Sequence, residues 1–225
     1  MLQASTFSFL KSLKKNNNKP WFDANRSRYE EAKNDFTALA EKLLKSLAAF
    51  DPTVAHLQAK DCLFRINRDV RFSNNKDPYK TNMAFYASKK GRKAMDCAGY
   101  YLHVEPGKSF VAGGLWMPMP PELKKVRQEI DYNYADFQKL LKAKSFQKHF
   151  TDLEKSEEMV LSRPPKGYEA TNPAIEYLKL KSFIASSQVG DDALTTAGAI
   201  QSISSVFSAM HPFLLFLNRA LENES

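Results

Sequence analysis

The stretch GYYLHVEPGKSFVAGGLW, residues 99–116, decides the fold class. Its first half alternates, with Tyr100, Leu102 and Val104 on one face of an extended chain and Tyr101, His103 and Glu105 on the other. Turn material at 105–108 follows, then a second β-like run over 109–116, so the spacing predicts an antiparallel hairpin across Pro106-Gly107. Working outward, residues 62–67 and 82–87 read as two earlier strands, the latter set off by Ser88-Lys89-Lys90-Gly91, and 180–188 reads as a fifth. The expectation is an antiparallel meander of about four strands in the middle of the chain.

Helical periodicity flanks this cluster. Ser5 or Thr6 is placed to cap a first helix carrying Phe7, Leu10 and Leu13 on one stripe, which Asn16-Asn17-Asn18 ends. Pro20 suits the first turn of a long helix in which Phe22, Tyr29, Ala32, Phe36, Leu39, Leu43 and Leu47 recur at three- and four-residue steps up to Asp51-Pro52. After the strands, Pro120 or Pro121 opens another helix, and further helical segments are expected over 134–142, 145–155 and 173–178. A closing helix capped by Asp191 carries Leu194, Ile200, Ile203, Phe207 and Met210 inward, and Pro212 starts or kinks its last turns. Helices before and after a strand cluster, without alternation, predict an α+β fold: an antiparallel sheet of about four to five strands packed by N- and C-terminal helices, in a single domain spanning 1–225.

The 225 residues are 43% hydrophobic and 26% charged, enough for a real core and too balanced for disorder. The N-terminus lacks the pattern of a signal peptide and no apolar run reads as a membrane span, so a cytoplasmic protein without a membrane partner is expected. Cys62 and Cys97 form no disulfide framework or zinc motif and read as small buried hydrophobes. The net charge of +8 is unevenly placed: residues 1–59, 60–93 and 94–225 contribute +3, +7 and −2. Nearly all the excess sits in one short region, where it would steer an anionic partner inward.

The centre of that region is FRINRDVRFSNNKDPYKTN, residues 64–82. As a strand, residues 64–72 put Phe64, Ile66, Val70 and Phe72 on one face and Arg65, Asn67, Asp69 and Arg71 on the other, with Arg68 alone breaking the alternation. Alternatively the strand ends near Asn67 and residues 68–72 form one helical turn, setting Arg68 beside Arg71. Between Asp61 and Lys80, five cations (Arg65, Arg68, Arg71, Lys76, Lys80) face three acids (Asp61, Asp69, Asp77). Two like charges about 8 Å apart repel by roughly 2 kcal/mol at an effective dielectric of about 20, a cost that a bound anion turns into attraction. Guanidinium forks fit carboxylate and phosphate, so an anion pocket is expected, against an internal Arg/Asp network or contacts to a nucleic-acid backbone.

The run Arg65-x-x-Arg68-Asp69-x-Arg71-Phe72 followed by Pro78-Tyr79-Lys80-Thr81-Asn82 resembles the signature of domain-of-unknown-function family 2461, a set of mostly bacterial proteins of this length. The likeness extends to WFDANRSRYEE (21–31), GYYLHVEPG (99–107), GGLWMP (113–118) and RPPKGY (163–168). It makes Arg65, Arg68, Asp69, Arg71, Pro78, Tyr79 and Lys80 motif positions and brings no activity and no catalytic residues with it.

The expected anion-binding set is Arg65, Arg68, Arg71, Tyr79 and Lys80, with Arg163 and Lys166 on the stiff RPPKGY loop closing over the ligand or merely spacing two helices. His103, oriented by Glu105 or Asp69, is the candidate general base, and Asp69 the other candidate proton carrier; a hydrogen-bonded strand histidine is the alternative. A nucleic-acid reading instead uses Phe72, Tyr79, Phe85 and Tyr86 as stacking groups. No metal site is expected, since His56, His149 and His211 are scattered and His103-x-Glu105 offers two ligands where zinc takes three or four. No Gly-rich phosphate loop names a cofactor. Gly113-Gly114 reads as a bulge or a place of ligand approach, and Trp21 as core packing.

Overall fold

A computed structural model of the chain describes residues 1–92, 94 and 96–222. Its helices are α1 Ala4–Lys15, α2 Lys19–Ala24, α3 Arg26–Ala48, α4 Ala59–Cys62, α5 Pro120–Tyr132, α6 Tyr134–Lys142, α7 Lys144–Gln147, α8 Ile175–Leu178, α9 Asp191–Thr195 and α10 Ala199–Glu222. The strands are β1 Met83–Ala87, β2 Gly99–Val104, β3 Phe110–Leu115 and β4 Phe183–Gln188, ordered β1-β2-β3-β4 in one open antiparallel sheet. The fold is thus α+β, with helices flanking the sheet. The alternation that defined β2 is real: Tyr100, Leu102 and Val104 are buried and Tyr101 and His103 half-buried. At the hairpin the Lys108 N–H donates to the Glu105 carbonyl at 2.9 Å, with Pro106 preceding a glycine at φ +72°, the type II arrangement that favours Gly107.

The chain falls into two compact units, Met1–Ala87 with Tyr101–Val111 and Gln188–Ser205, and Ser88–Tyr100 with Ala112–Ser187 and Val206–Ser225. In the first, α1 and α3 bury Phe7, Leu10 and Leu13 together with Ala32, Phe36, Leu39, Leu43 and Leu47, the residues that the periodicity singles out. Neither Ser5 nor Thr6 caps α1; Gln3 stands at the N-cap, and the Thr6 hydroxyl donates instead to Asp35 at 2.6 Å. The expected long helix from Pro20 is two helices, because at Asn25 the side-chain amide donates to the Trp21 carbonyl and the backbone opens to φ −110°. Trp21 lies 6.2 Å from Phe9, ring to ring.

In the second unit the rings of Phe213 and Phe216 pack on Phe137, and Phe146 packs on Phe150 and Phe213. The helix expected over 145–155 stops at Gln147. Phe146, Phe150 and Leu153 are buried at helical spacing, but the chain leaves the helix so that the Glu154 N–H can donate to Ile184 of β4 at 2.8 Å. At Gly113-Gly114 the close approach is made by the protein itself: a Cβ on Gly114, at φ +135°, would run into the Phe183 carbonyl oxygen, and one on Gly113 into the Met210 sulfur. These glycines let β4 and the last helix close on β3.

The closing helix is broken, α9 ending at Thr195 and α10 starting at Ala199, and Asp191 accepts the Gly107 N–H rather than capping its own helix. Pro212 lies inside α10 without ending it. Contrary to the sequence expectation, α10 is long and apolar enough to cross a membrane by length and composition, and 56% of that window is buried, as in a core helix. Cys62 and Cys97 are both buried thiols outside any disulfide.

Candidate functional site

The arginine-rich segment forms an arm on the first unit. Residues 63–68 run antiparallel to 78–85, joined by the bridges Leu63 to Phe85 and Asn67 to Tyr79 and by Phe64 N–H to Ala84, Lys80 N–H to Ile66 and Arg68 N–H to Pro78. Between the two bridges one side advances four residues and the other six, so the register slips by two and no continuous strand forms. The strand expected over 62–67 is therefore a ribbon held by isolated bridges, preceded by the single turn of α4.

Two anchors tie this ribbon down. Tyr79 is buried and its ring stacks on Phe22 at 3.9 Å, 14° from parallel. Its backbone is gripped by a side chain: Asn17 donates to the Tyr79 carbonyl at 2.9 Å and accepts its N–H at 3.1 Å. In the sequence Asn17 reads as part of a helix stop, and the asparagine run gives no sign that one member acts as a strand. Tyr79, expected in the ligand set, is in the core.

Beyond Arg68 the arm leaves its partner. Residues 64–72 are neither the expected strand nor a helical turn: only Ile66 of the four apolar positions is buried, and Phe72 is 96% exposed. Arg71 turns back on Asp69 in a fork, Nε to Oδ1 at 3.0 Å and Nη2 to Oδ2 at 2.7 Å, which holds that carboxyl below its usual range. Arg68 reaches the other way, to the Asp77 carbonyl at 3.4 Å and the Ser73 hydroxyl at 3.2 Å. Asp77 lends its backbone oxygen and not its carboxylate. Lys80 donates to the Arg65 carbonyl and lies 5.4 Å from the Phe64 ring, and Lys76 donates to the Val70 carbonyl. Arg65 is exposed and acts on Asp69 through space.

Next to the arm's base is a polar cluster on β2, reached through Phe64, whose ring meets Tyr101 edge-on at 6.2 Å. The Tyr101 hydroxyl lies 3.1 Å from His103 Nδ1, and the Asn82 side-chain amide lies 3.4 Å from the same nitrogen. Two donors at Nδ1 make it the acceptor, which leaves the proton on Nε2, facing Glu105 at 3.4 Å. Burial pushes His103 below its ordinary pKa, partly countered by Glu105, and pushes the Tyr101 phenol up to about 12. Glu105 also meets Lys14 of α1 at 3.4 Å and the Thr81 hydroxyl at 3.5 Å, neither of which the sequence flagged. Both nitrogens of His103 are engaged, and its ring stacks on Phe110 at 4.8 Å, the arrangement of a satisfied strand histidine. Asp69, as a carboxylate held by Arg71, carries no proton to give near neutrality.

Arg163 and Lys166 belong to the second unit, exposed on a loop in which Pro165 is buried and Gly167 takes φ +92°. Of the four expected stacking aromatics, Tyr79 and Phe85 are buried, Tyr86 is half-buried, and Phe72 alone stands out in solvent. No group of three His, Cys, Asp or Glu among the described residues is placed to hold a metal ion. A cleft of about 460 Å³ lies elsewhere on the first unit, lined by Phe7, Ser8, Lys11, Lys15, Asp191 and Asp192, and none of the arm's residues lines it.

Fold and site together define an α+β protein with a cationic arm tethered beside a half-buried polar cluster on its sheet. The chain belongs to the conserved hypothetical protein family DUF2461, whose model matches residues 5–216. No curated protein and no solved structure matches it.

Proposed function

We propose that this protein binds a small anionic ligand, phosphorylated or carboxylated, on the arm through Arg68, Arg71, Lys80 and Arg65. The observation that carries the reading is Arg68, whose guanidinium reaches uncharged oxygens among the described residues, while the neighbouring carboxylate of Asp69 is taken by Arg71. Backbone carbonyls and a hydroxyl orient such a cation without cancelling its charge, and an incoming anion supplies what they do not.

Thermal shift with pyrophosphate and citrate tests this. A ligand at a hundredfold excess over its Kd stabilises the bound state by about 2.7 kcal/mol. Wild type gains that shift, Arg68→Ala loses most of it, and Asp69→Asn, which removes the arm's competing carboxylate, gains more. Equal shifts in all three chains would sink the reading.

A nucleic-acid ligand is the second reading, favoured by Phe72: a fully presented ring with the Arg71 guanidinium 5.8 Å from its centroid can stack a base beside a phosphate contact. Short single-stranded oligonucleotides then bind wild type with a steep salt dependence and bind Phe72→Ala several-fold more weakly. Equal affinity of the two chains removes Phe72 from any such role.

A further inference from the structure

The second unit contains a cation that its surroundings satisfy only in part. Arg127 of α5 is half-buried, and its Nη2 donates to the Leu180 carbonyl at 3.1 Å. Its Nε is buried with no hydrogen-bond partner. A guanidinium does not escape by losing its proton, so burial without a counter-charge is a standing cost that the single bond to Leu180 offsets only in part. The residue one turn on, Asp131, is the ordinary i+4 partner for an arginine on a helix. Here its Oδ1 instead accepts the Asn172 side-chain amide at 2.6 Å, and no ion pair joins it to Arg127 among the described residues.

That diversion is built by the RPPKGY loop. Val160 pairs with Leu180 at the loop's entrance, and Asn172 ties its exit to α5, so residues 161–172 are pinned at both ends across the face that carries Arg127 and Asp131. Within it the Tyr168 N–H closes a turn on the Pro165 carbonyl at 3.2 Å. The Tyr168 phenol at the end of that turn is near enough to act electrostatically on Arg127, and it is neutral at pH 7, so it does not cancel the charge. Burial and the nearby Asp131 raise its pKa further.

We propose that Arg127 and Tyr168 form an anion site of the second unit, which takes a carboxylate or phosphate group on the guanidinium edge and the phenol hydroxyl. Arg163 and Lys166, exposed on the same loop, draw the anion in. This site does not depend on the arm, and either can fail without the other.

The test is a titration with inorganic phosphate, and separately with acetate, followed by the amide cross-peak of Tyr168 and the side-chain Nε–H cross-peak of Arg127. Saturable movement of both is expected in wild type and in Arg68→Ala, with the Tyr168 response lost in Arg127→Met and several-fold weaker binding in Tyr168→Phe. Movement with phosphate alone assigns a phosphorylated ligand, and movement with acetate as well assigns the wider carboxylate class. Anion-free Arg127→Met is expected to melt lower than wild type, because it leaves the buried Leu180 carbonyl without the Nη2 donor, so binding is read from the cross-peaks and not from stability. A Tyr168 response that persists in Arg127→Met, or is absent from wild type, overturns the proposal. Should Arg127→Met not fold, Arg127 is structural unless Tyr168→Phe folds and shows the weaker binding.

Discussion

Replacing Asn17 by alanine removes both hydrogen bonds that hold Tyr79 from the side away from its own ribbon. Tyr79 faces Asn67 in the non-hydrogen-bonded position of the antiparallel pair, with the bonds falling at Arg68 to Pro78 and Lys80 to Ile66. Its own N–H and C=O therefore point outward, and Asn17 meets them at 3.1 and 2.9 Å. Each bond contributes about 1 kcal/mol net, and leaving two part-buried backbone groups unpaired raises the loss to roughly 2–4 kcal/mol. The two bonds act on one ribbon, so the assay is amide exchange in the arm. At 1.4 kcal/mol per decade, even the low end accelerates exchange at the Arg68 and Lys80 amides by about 30-fold. Asn17→Asp keeps the acceptor but turns a carboxylate oxygen toward the Tyr79 carbonyl, so it does not rescue. Exchange at these amides within threefold of wild type would refute the strand-mimic role.

Gly114→Ala places a Cβ against the Phe183 carbonyl at a backbone angle alanine resists, and is expected to cost more than about 4 kcal/mol and leave little soluble protein; Gly190→Ala, with open space around it, is the neutral control. Equal yields of the two would contradict the close approach of β4. His103 has its folded pKa below the unfolded value of about 6.5, so its contribution is whole above that pH and is lost as pH falls through the window beneath it. His149 shares the direction, so the check is the difference in acid sensitivity between wild type and His103→Asn, which is expected to be the flatter; parallel pH curves would refute it.

What was legible in the sequence is what period and turn chemistry carry. Tyr100, Leu102 and Val104 could only be one face of a strand, and Pro106-Gly107 could only turn it, so the hairpin and the α+β class followed. Phe146, Phe150 and Leu153 show the limit, because buried residues at helical spacing are also produced by a short helix that runs out alongside β4. At the site, the charge surplus was legible and its geometry was not. Composition counts Asp77 as an acid available to Arg68, whereas the fold uses its carbonyl. Arg127 was invisible for the same reason: on a helical wheel Asp131 neutralises it, and only the loop carrying Asn172 takes that partner away.

Pro78 explains why the alternation of residues 64–72 misleads. Arg68 and Pro78 form the hydrogen-bonded pair of the ribbon, in which each residue should donate to the other. Arg68 donates at 2.9 Å, but proline has no N–H to return, so the ladder stops there and residues 69–77 have no strand to lie against. Val70 and Phe72 lose the face that their spacing promised, and Arg68 and Arg71 are left on a tip free to choose carbonyl and carboxylate partners of their own. Pro78→Ala restores the missing donor. The gained bond contributes about 0.5–1.5 kcal/mol, and the unfolded chain's added freedom takes back about 0.4–1 kcal/mol, so the melting point should hardly move. The informative signal is local: the new amide at position 78 should exchange at least tenfold more slowly than that of Asn74 in the same protein. If position 78 exchanges as fast as Asn74, the arm ends for some reason other than its proline.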